Sequence, residues 1–369
     1  MEPYFDGSHR AWAAGLAAAS GHKIEILSLP AAFWKWRMQG GYLVLAEAYR
    51  AAVAKTGPFD LILATSMLHL AGFLGAVRRE APEVPAVLYM HENQLTYPVS
   101  PRDREDLTYP FINWTSMAVA DEVWFNSAFH YEQWFDRVPA LLRRFPDTRH
   151  DHLLAGVQSR SRVMPLGVDL HRLDAESIQR DAPPLILWNQ RWDHDKGPDE
   201  LAAAIEALDD AGASFRLAIC GETFATLPPP FEGLKARLGQ RLVHYGFAPE
   251  PEYRRLLRSA DVVLSTSRQE FFGIAITEAV YAGAFPVLPR MLVYPERIPP
   301  EFHDDCLYRD DVELLERLTW AVRRPQEAAA IAAQLGPTMA AHDWAVLAPT
   351  YDEELSRVAA GGSGLVSSQ

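Results

Sequence analysis

Leu185-Ile-Leu-Trp-Asn-Gln-Arg-Trp-Asp-His-Asp-Lys-Gly-Pro198 passes from an apolar run through a charged loop to a proline. An apolar segment of strand length, a polar turn and Pro at a first helical position read as one βα unit. The alternation repeats towards the C-terminus: strands are expected at 215–220, 242–245, 262–265 and 285–288, with helices at 198–210, 231–239, 251–259 and 274–282. Towards the N-terminus, strands are expected at 23–29, 59–64, 86–90 and 122–125, with a helix over 43–53. This spacing predicts βαβ units, parallel sheets and an α/β fold of two Rossmann-like domains.

The length of 369 residues suits two domains at roughly 150 residues each. A Pro/Gly junction, Met164-Pro-Leu-Gly-Val-Asp169, sets the boundary near 170, giving domains 1–170 and 171–340. A last helix within 341–360 could return to the first domain, and the Gly/Ser-rich end 361–369 is expected to be disordered. Glu2-Pro-Tyr-Phe-Asp-Gly-Ser8 reads as the loop after a first strand, so that strand is expected to be missing.

Composition excludes several classes. A net charge of −13 argues against non-specific coating of nucleic acid, so an RNA contact needs a local basic patch. No apolar run approaches the ~20 residues of a membrane span, and the start lacks a basic-then-apolar leader. Two cysteines, Cys220 and Cys306, make neither a disulfide framework nor a thiolate zinc site, which fits a reducing cytoplasm. The Gly-rich dinucleotide fingerprint, the P-loop and clustered Cys/His spacing are all absent.

Chemistry concentrates at strand ends. Glu270-Phe-Phe-Gly-Ile-Ala-Ile-Thr-Glu278 places one glutamate in a loop and one inside the following helix. Gly273 allows close backbone approach, and the helix N-terminus favours a phosphate. One carboxylate could accept sugar hydroxyls and the other ribose hydroxyls, although an amphipathic helix with a glutamate at each end reads equally well. Arg191 and Lys196 fall at the ligand edge of the sheet, where two cations on a diphosphate would offset leaving-group charge, work otherwise done by a metal. Asp193 and Asp195 resemble a diaspartate metal motif, but loop and capping roles are preferred and no metal site is expected.

In the first half, His91-Glu-Asn-Gln94 ends the strand at 86–90, and Gly7-Ser8-His9 forms a close-approach loop. Asn126, followed by Ser127, is a contact or a helix cap. Phe33-Trp-Lys-Trp-Arg37 interleaves aromatics with cations, as single-stranded nucleic acid requires, while buried core or a lipid-facing patch explains the tryptophans as well. Arg143-Arg144, Arg149-His150 and Arg160-Ser-Arg162 add positive charge.

At these residues the chain resembles the retaining GT-B glycosyltransferases, whose donor half carries Glu-x7-Glu and an Arg/Lys pair on the pyrophosphate. More narrowly, Gly7-Ser-His9, Trp34-Lys-Trp-Arg37, His91-Glu-Asn-Gln-Leu-Thr-Tyr-Pro98, Phe125-Asn-Ser127, Arg191-Trp-Asp-His-Asp-Lys196, Gly221-Glu-Thr-Phe224 and Glu270-Phe-Phe-Gly273 resemble the tRNA-queuosine mannosyltransferase family. The likeness runs from Glu2 to about Pro325. It implies two Rossmann-like domains facing across a cleft, GDP-mannose as donor, the queuosine base of an aspartate tRNA as acceptor, and no metal cofactor.

By position, the resemblance puts Arg191 and Lys196 on the diphosphate, Glu278 on the ribose, and Glu270 with the backbone of Phe272, Gly273 and Ile274 on the mannose. Gly221 and Glu222 join the donor side, and His91 lies near sugar and acceptor. Gly7, Ser8, His9, Trp34, Lys35, Trp36, Arg37, Glu92, Asn93, Gln94 and Asn126 fall on the acceptor side. Asp6 stands where the family usually has a second glycine. Transfer to a lipid, small-molecule or polysaccharide acceptor, a non-catalytic sugar-nucleotide or RNA-binding protein, and a sugar-nucleotide epimerase remain open on these residues, as does oligomeric state.

Overall fold

Short runs rich in Val, Ile, Leu and aromatics, each closed by polar residues and followed by a helix, build parallel sheets in two separate units. The computed structural model describes residues 1–97, 106–174, 180, 182–221 and 229–361. Met1–Val168 with the segment from Trp344 form the first unit, and Asp169–Asp343 the second.

In chain order the first unit contains β1 (Glu2–Phe5), α1 (Gly7–Ala19), β2 (Ser28–Pro30), α2 (Trp34–Thr56), β3 (Ile62–Thr65), α3 (Leu70–Val77), β4 (Ala86–Met90), α4 (Thr108–Val119), β5 (Glu122–Phe125), α5 (Ala128–Leu142), α6 (Asp151–Ser159) and β6 (Ser161–Val163). Strands β3-β4-β5-β6 form one parallel sheet, with Leu88 opposite Ala64 and Val123. β1 and β2 form a parallel pair. Met1 ties that pair to β3: its nitrogen donates to Leu63 O at 2.7 Å, and Thr65 N donates to Met1 O at 3.2 Å.

Three sequence expectations are corrected here. Residues 2–5, expected as a loop after an absent strand, are strand β1; a buried glutamate hid it, and Glu2 is accommodated because its carboxylate accepts from Tyr4 N and pairs with His9. The strand expected over 23–29 is reduced to Ser28–Pro30, an edge strand with mostly exposed residues. Helix α2 also begins nine residues before the expected start at 43. Packing overrides the poor helix propensity of Gly40-Gly41, since a Cβ at buried Gly41 would meet Leu29 Cδ1 at 3.3 Å.

The second unit contains β7 (Leu185–Asn189), α7 (Pro198–Asp210), β8 (Arg216–Cys220), α8 (Pro229–Leu238), β9 (Leu242–Gly246), α9 (Glu250–Ser259), β10 (Val262–Leu264), α10 (Ile274–Tyr281), β11 (Phe285–Pro289), α11 (Tyr294–Arg297), α12 (His303–Cys306), β12 (Leu307–Tyr308), α13 (Asp311–Arg323) and α14 (Pro325–Met339). Its parallel sheet has the order β12-β11-β10-β7-β8-β9. Strands β7, β8 and β11 are almost wholly buried, as expected when helices cover both faces.

The final helix α15 (Trp344–Ala359) belongs to the first unit. Its Trp344 indole sits where a Cβ on Gly15 or Gly167 would lie 2.1 or 2.4 Å from ring atoms, so two glycines make its slot. Tyr351 donates to Pro165 O at 2.8 Å. Arg162 and Arg357 both pair with buried Glu122 and also with Glu354. Glu122 is the buried member of this cluster, so loss of both arginines would leave its carboxylate buried without a counter-charge. The tail expected to be disordered lies outside the described residues from 362 onward.

Candidate active site

In the second unit the winding reverses between β10 and β7, and this is the place where open α/β sheets leave a crevice at the strands' carboxyl ends. The loop after β7 carries Arg191 and Lys196; the loop after β10 carries Glu270. Lys196 is only 8% exposed, and its Nζ donates to Gln269 O at 2.9 Å and to Glu270 Oε2 at 3.2 Å. The other oxygen, Oε1, accepts from the N–H groups of Phe271, Phe272 and Gly273 at 3.0–3.3 Å. Burial pushes the Glu270 carboxyl up, but the Lys196 ammonium and the Phe272 and Gly273 N–H groups outweigh it and hold it below the usual carboxylate range.

A polar network fixes these loops. Thr266 Oγ1 donates to the carbonyls of Lys196 and Gly197, and Gln190 bridges Ser265 and Ser267. Gly273 has φ +85°, a conformation side chains resist, and precedes α10. Arg297 holds the neighbouring Phe272 by donating to its carbonyl at 2.9 Å with its guanidinium 4.0 Å from the ring centre. Gly221 permits loop crossing: a Cβ there would fall 1.9 Å from Gln190 O. Ile274 starts α10, whose first-turn N–H groups have no intrahelical partner.

Glu278, 6% exposed, accepts from Tyr253 OH at 2.7 Å and pairs with Arg172. Burial pushes its carboxyl above the usual range against the pull of Arg172 and Tyr253. Arg191 is 47% exposed at its side chain and pairs with Asp193 and Asp195 at 3.5 and 3.7 Å. The structure therefore brings Lys196, Glu270, Phe272 and Gly273 together directly. Glu278 stands in a separate cluster with Arg172, Tyr253 and Asn189, whose Nδ2 donates to Tyr253 OH at 3.1 Å. Glu222 lies outside the described residues.

At the carboxyl edge of the first unit, α1 follows β1 and places His9 near His91 after β4. Glu2 Oε2 and His9 Nδ1 are 2.9 Å apart, and the His9 and His91 rings lie 4.4 Å apart, centre to centre. His91 is 8% exposed with no hydrogen-bond partner at Nε2. Burial, then the neighbouring His9 and His130, hold its pKa well below the ordinary value, so it is a neutral imidazole. The donor atoms of Glu2, His9 and His91 lie within 4.8 Å of one another, a set that could hold a divalent cation only by displacing the Glu2–His9 hydrogen bond.

The neighbouring candidates divide by role. Gly7, with φ +49°, and Ser8 are exposed, and nothing lies within 4 Å of a Cβ built on Gly7. Asn93 is buried and its Oδ1 accepts from Leu95 N, Thr96 N and Thr96 Oγ1, so it shapes the loop. Gln94 Nε2 donates to Glu92 Oε1 at 2.9 Å. Asn126 donates to His91 O at 2.8 Å, clamping the end of β4, and Ser127 caps α5.

The aromatic-cationic segment also splits. Trp34 packs on Tyr109 with ring centres 4.9 Å apart, beside Met38, Met67 and Ile112. Lys35 and Trp36 are exposed, whereas Arg37 Nε donates to Pro30 O at 3.2 Å. Arg160 donates to the carbonyls of Met117 and Ala118, and Arg162 is committed to Glu122 and Glu354. Sequence reasoning missed Glu2, Arg172 and Tyr253: a glutamate in an apolar strand was a usable signal for the first, while the other two answer a buried charge that only the fold reveals.

Comparison with known proteins places these features. Residues 1–168 match a family model described as tRNA-queuosine alpha-mannosyltransferase N-terminal, and residues 172–324 match glycosyl transferases group 1. A tRNA-queuosine alpha-mannosyltransferase from Drosophila melanogaster is 33% identical over 88% of this chain and 87% of its own length. A GDP-mannose:cellobiosyl-diphosphopolyprenol alpha-mannosyltransferase from Xanthomonas oryzae is 30% identical over 35% of this chain and 34% of its own. Among solved structures, sucrose-phosphate synthase from Thermosynechococcus elongatus is similar in fold, with TM-score 0.66 at 21% identity over 93% of this chain and 82% of that one. Among the described residues no helix is long and apolar enough to cross a membrane. With the queuosine-specific model on its first unit, a group 1 transferase model on its second and a relative matched along nearly its whole length, the chain is a GT-B glycosyltransferase and belongs to the tRNA-queuosine alpha-mannosyltransferase family.

Proposed function

We propose that this glycosyltransferase transfers mannose from GDP-mannose to the queuosine base of tRNA(Asp), in the cytoplasm, with retention of the anomeric configuration and without a metal ion. The carrying observation is the buried Lys196–Glu270 pair at the switch point of the second unit's sheet, backed by three convergent backbone N–H groups. The name of the Drosophila relative supports the acceptor, and that of the Xanthomonas relative supports the donor.

Lys196 and Arg191 take the diphosphate, where fixed cations stabilise the charge that grows as the bond from the anomeric carbon to phosphate oxygen breaks. Glu270, released from the N–H groups it caps, and the backbone of Phe272, Gly273 and Ile274 hold mannose hydroxyls. Glu278 exchanges its present partners for the ribose, and Gly221 and Glu222 border the nucleotide. The acceptor hydroxyl attacks the same face that GDP leaves, and its proton passes to the departing phosphate oxygen. His91, neutral and with Nε2 unpaired, offers a hydrogen bond near sugar and acceptor. Gly7, Ser8, His9, Glu92, Gln94 and the segment Trp34–Arg37 border the acceptor, with Asn93 and Asn126 holding the loops.

Nuclear magnetic resonance of the product, together with calorimetric titration of GDP, UDP and GDP-mannose, tests this reading. An α-linked mannoside and tighter GDP than UDP binding are expected. An inverted linkage, or a preference for UDP, would overturn the donor assignment or the mechanism.

A further inference from the structure

Phe33 breaks three local preferences at once. It occupies the N-cap position of α2, where short polar side chains or glycine usually stand, and makes no side-chain cap. Its backbone is left-handed, φ 49° and ψ 56°, which costs energy for a residue with a Cβ. The residue is also 83% exposed, so burial returns little. Local rules broken without compensation in the fold point to a function outside it.

One turn further, Trp36 is 62% exposed. Its indole lies over Gly40, where an added Cβ would meet Cζ2 at 3.3 Å and two further ring atoms at 3.5 Å. A side chain at position 40 would crowd this ring, so the glycine makes room for it while most of Trp36 stays exposed. Trp34 instead packs inward on Tyr109 and secures this first turn. Lys35, exposed with its ammonium 5.6 Å from the Trp34 ring centre, and Arg37 bring positive charge to a chain of net −13. The turn follows β2 and so stands at the carboxyl edge of the strands, as Gly7-Ser8-His9 and His91 do.

We propose that Phe33 and Trp36 form a stacking platform for unpaired bases of an RNA loop, with Lys35 and Arg37 drawing its phosphates. Stacking on aromatics requires splayed bases and tolerates sequence, so the partner is single-stranded loop rather than duplex. The proposal rests on the tRNA acceptor reading above and assigns that acceptor's docking surface.

The test uses fluorescence anisotropy with an RNA hairpin bearing a single-stranded loop and a blunt RNA duplex of equal length. Trp36→Ala and Phe33→Gly should each weaken hairpin binding roughly ten-fold or more and leave duplex binding and GDP affinity unchanged. Phe33→Gly should melt no lower than wild type because glycine accepts the left-handed backbone, which separates loss of binding from loss of fold. Hairpin binding equal to wild type in both variants overturns the proposal. So does an equal loss on hairpin and duplex. If the variants instead lose binding to phosphatidylcholine–phosphatidylglycerol vesicles, or convert a sedimenting dimer to monomer, with hairpin binding intact, the face serves a lipid or a second copy and the proposal fails. Wild-type protein that transfers no hexose to queuosine-containing tRNA would instead defeat the proposed function itself.

Discussion

Across the carboxyl edges of the two sheets, the second unit answers charge with charge, whereas the first holds a buried neutral imidazole, His91, beside the Glu2–His9 pair. Lys196 faces Glu270 and Asp195, Arg172 faces Glu278, and Arg191 faces two aspartates. In the first unit His91 is buried, neutral and unpaired at Nε2, and His9 is oriented by one carboxylate. Fixed, mutually compensated charges suit an anion that must be held while its negative charge grows. A neutral hydrogen-bonding ring such as that of His91 suits a hydroxyl that must be placed without being trapped as an ion. The second unit matches a model of glycosyl transferases broadly, and the first a model named for one family.

The largest expected break in this comparison is Lys196→Met, which keeps the stem and deletes the charge. Removal of a preorganised electrostatic group typically costs about 10²–10³ in turnover, and a fall of that order in kcat/KM at unchanged circular dichroism is expected. His91→Ala should reduce kcat by roughly 10–100-fold, with GDP affinity by calorimetry unaltered, because it lies in the other unit. Equal losses of GDP affinity in both variants would erase the contrast between the edges.

Acid should sharpen the contrast through stability. Burial drives His130 down to about 3, and His91 also lies well below the ordinary value; both are in the first unit. In the second unit His342 is driven to about 3 by burial and Arg297, while Glu278, Asp193 and Asp261 are raised, chiefly by burial. A depressed histidine leaves the unfolded chain binding more protons below its ordinary pKa. Its contribution is complete above about pH 6.5 and is lost as pH falls, by about 1.4 kcal/mol per imidazole at about pH 5.5. Raised carboxyls work the other way, taking up protons in the folded state first. Hydrogen exchange at about pH 5.5 against 7.5 should show greater loss of protection in the first unit, and His130→Gln should shrink that loss.

The smallest expected effect is at Glu2. Glu2→Gln keeps a hydrogen-bond partner for His9 but removes the charge that orients it, so acceptor KM should rise a few-fold with GDP affinity unchanged. A change in donor binding instead would show that Glu2 acts through the fold.

Much of the architecture was legible because the strands are uniform apolar runs bounded by Pro, Gly and polar loops; β4 and β5 fall where 86–90 and 122–125 placed them. Strand β1 was not, because Glu2 interrupts the apolar signal and its partner His9 is found only after folding. Helix α2 starts ahead of Gly40-Gly41, a pair of poor helix formers whose missing side chains make space for Trp36 and Leu29. At the candidate site, sequence gave the positions of Lys196 and Glu270 but not their pairing. That hydrogen bond joins residues 74 apart, so it follows from strand order rather than spacing.

The central claim is tested most directly by incubating the purified protein with GDP-mannose and queuosine-containing tRNA, digesting the tRNA, and weighing the modified nucleoside by mass spectrometry. The account predicts a queuosine heavier by one hexose that disappears with Lys196→Met or Glu270→Ala. Unmodified queuosine with wild-type protein that binds GDP-mannose, or a hexosylated base that persists in both variants, would contradict it.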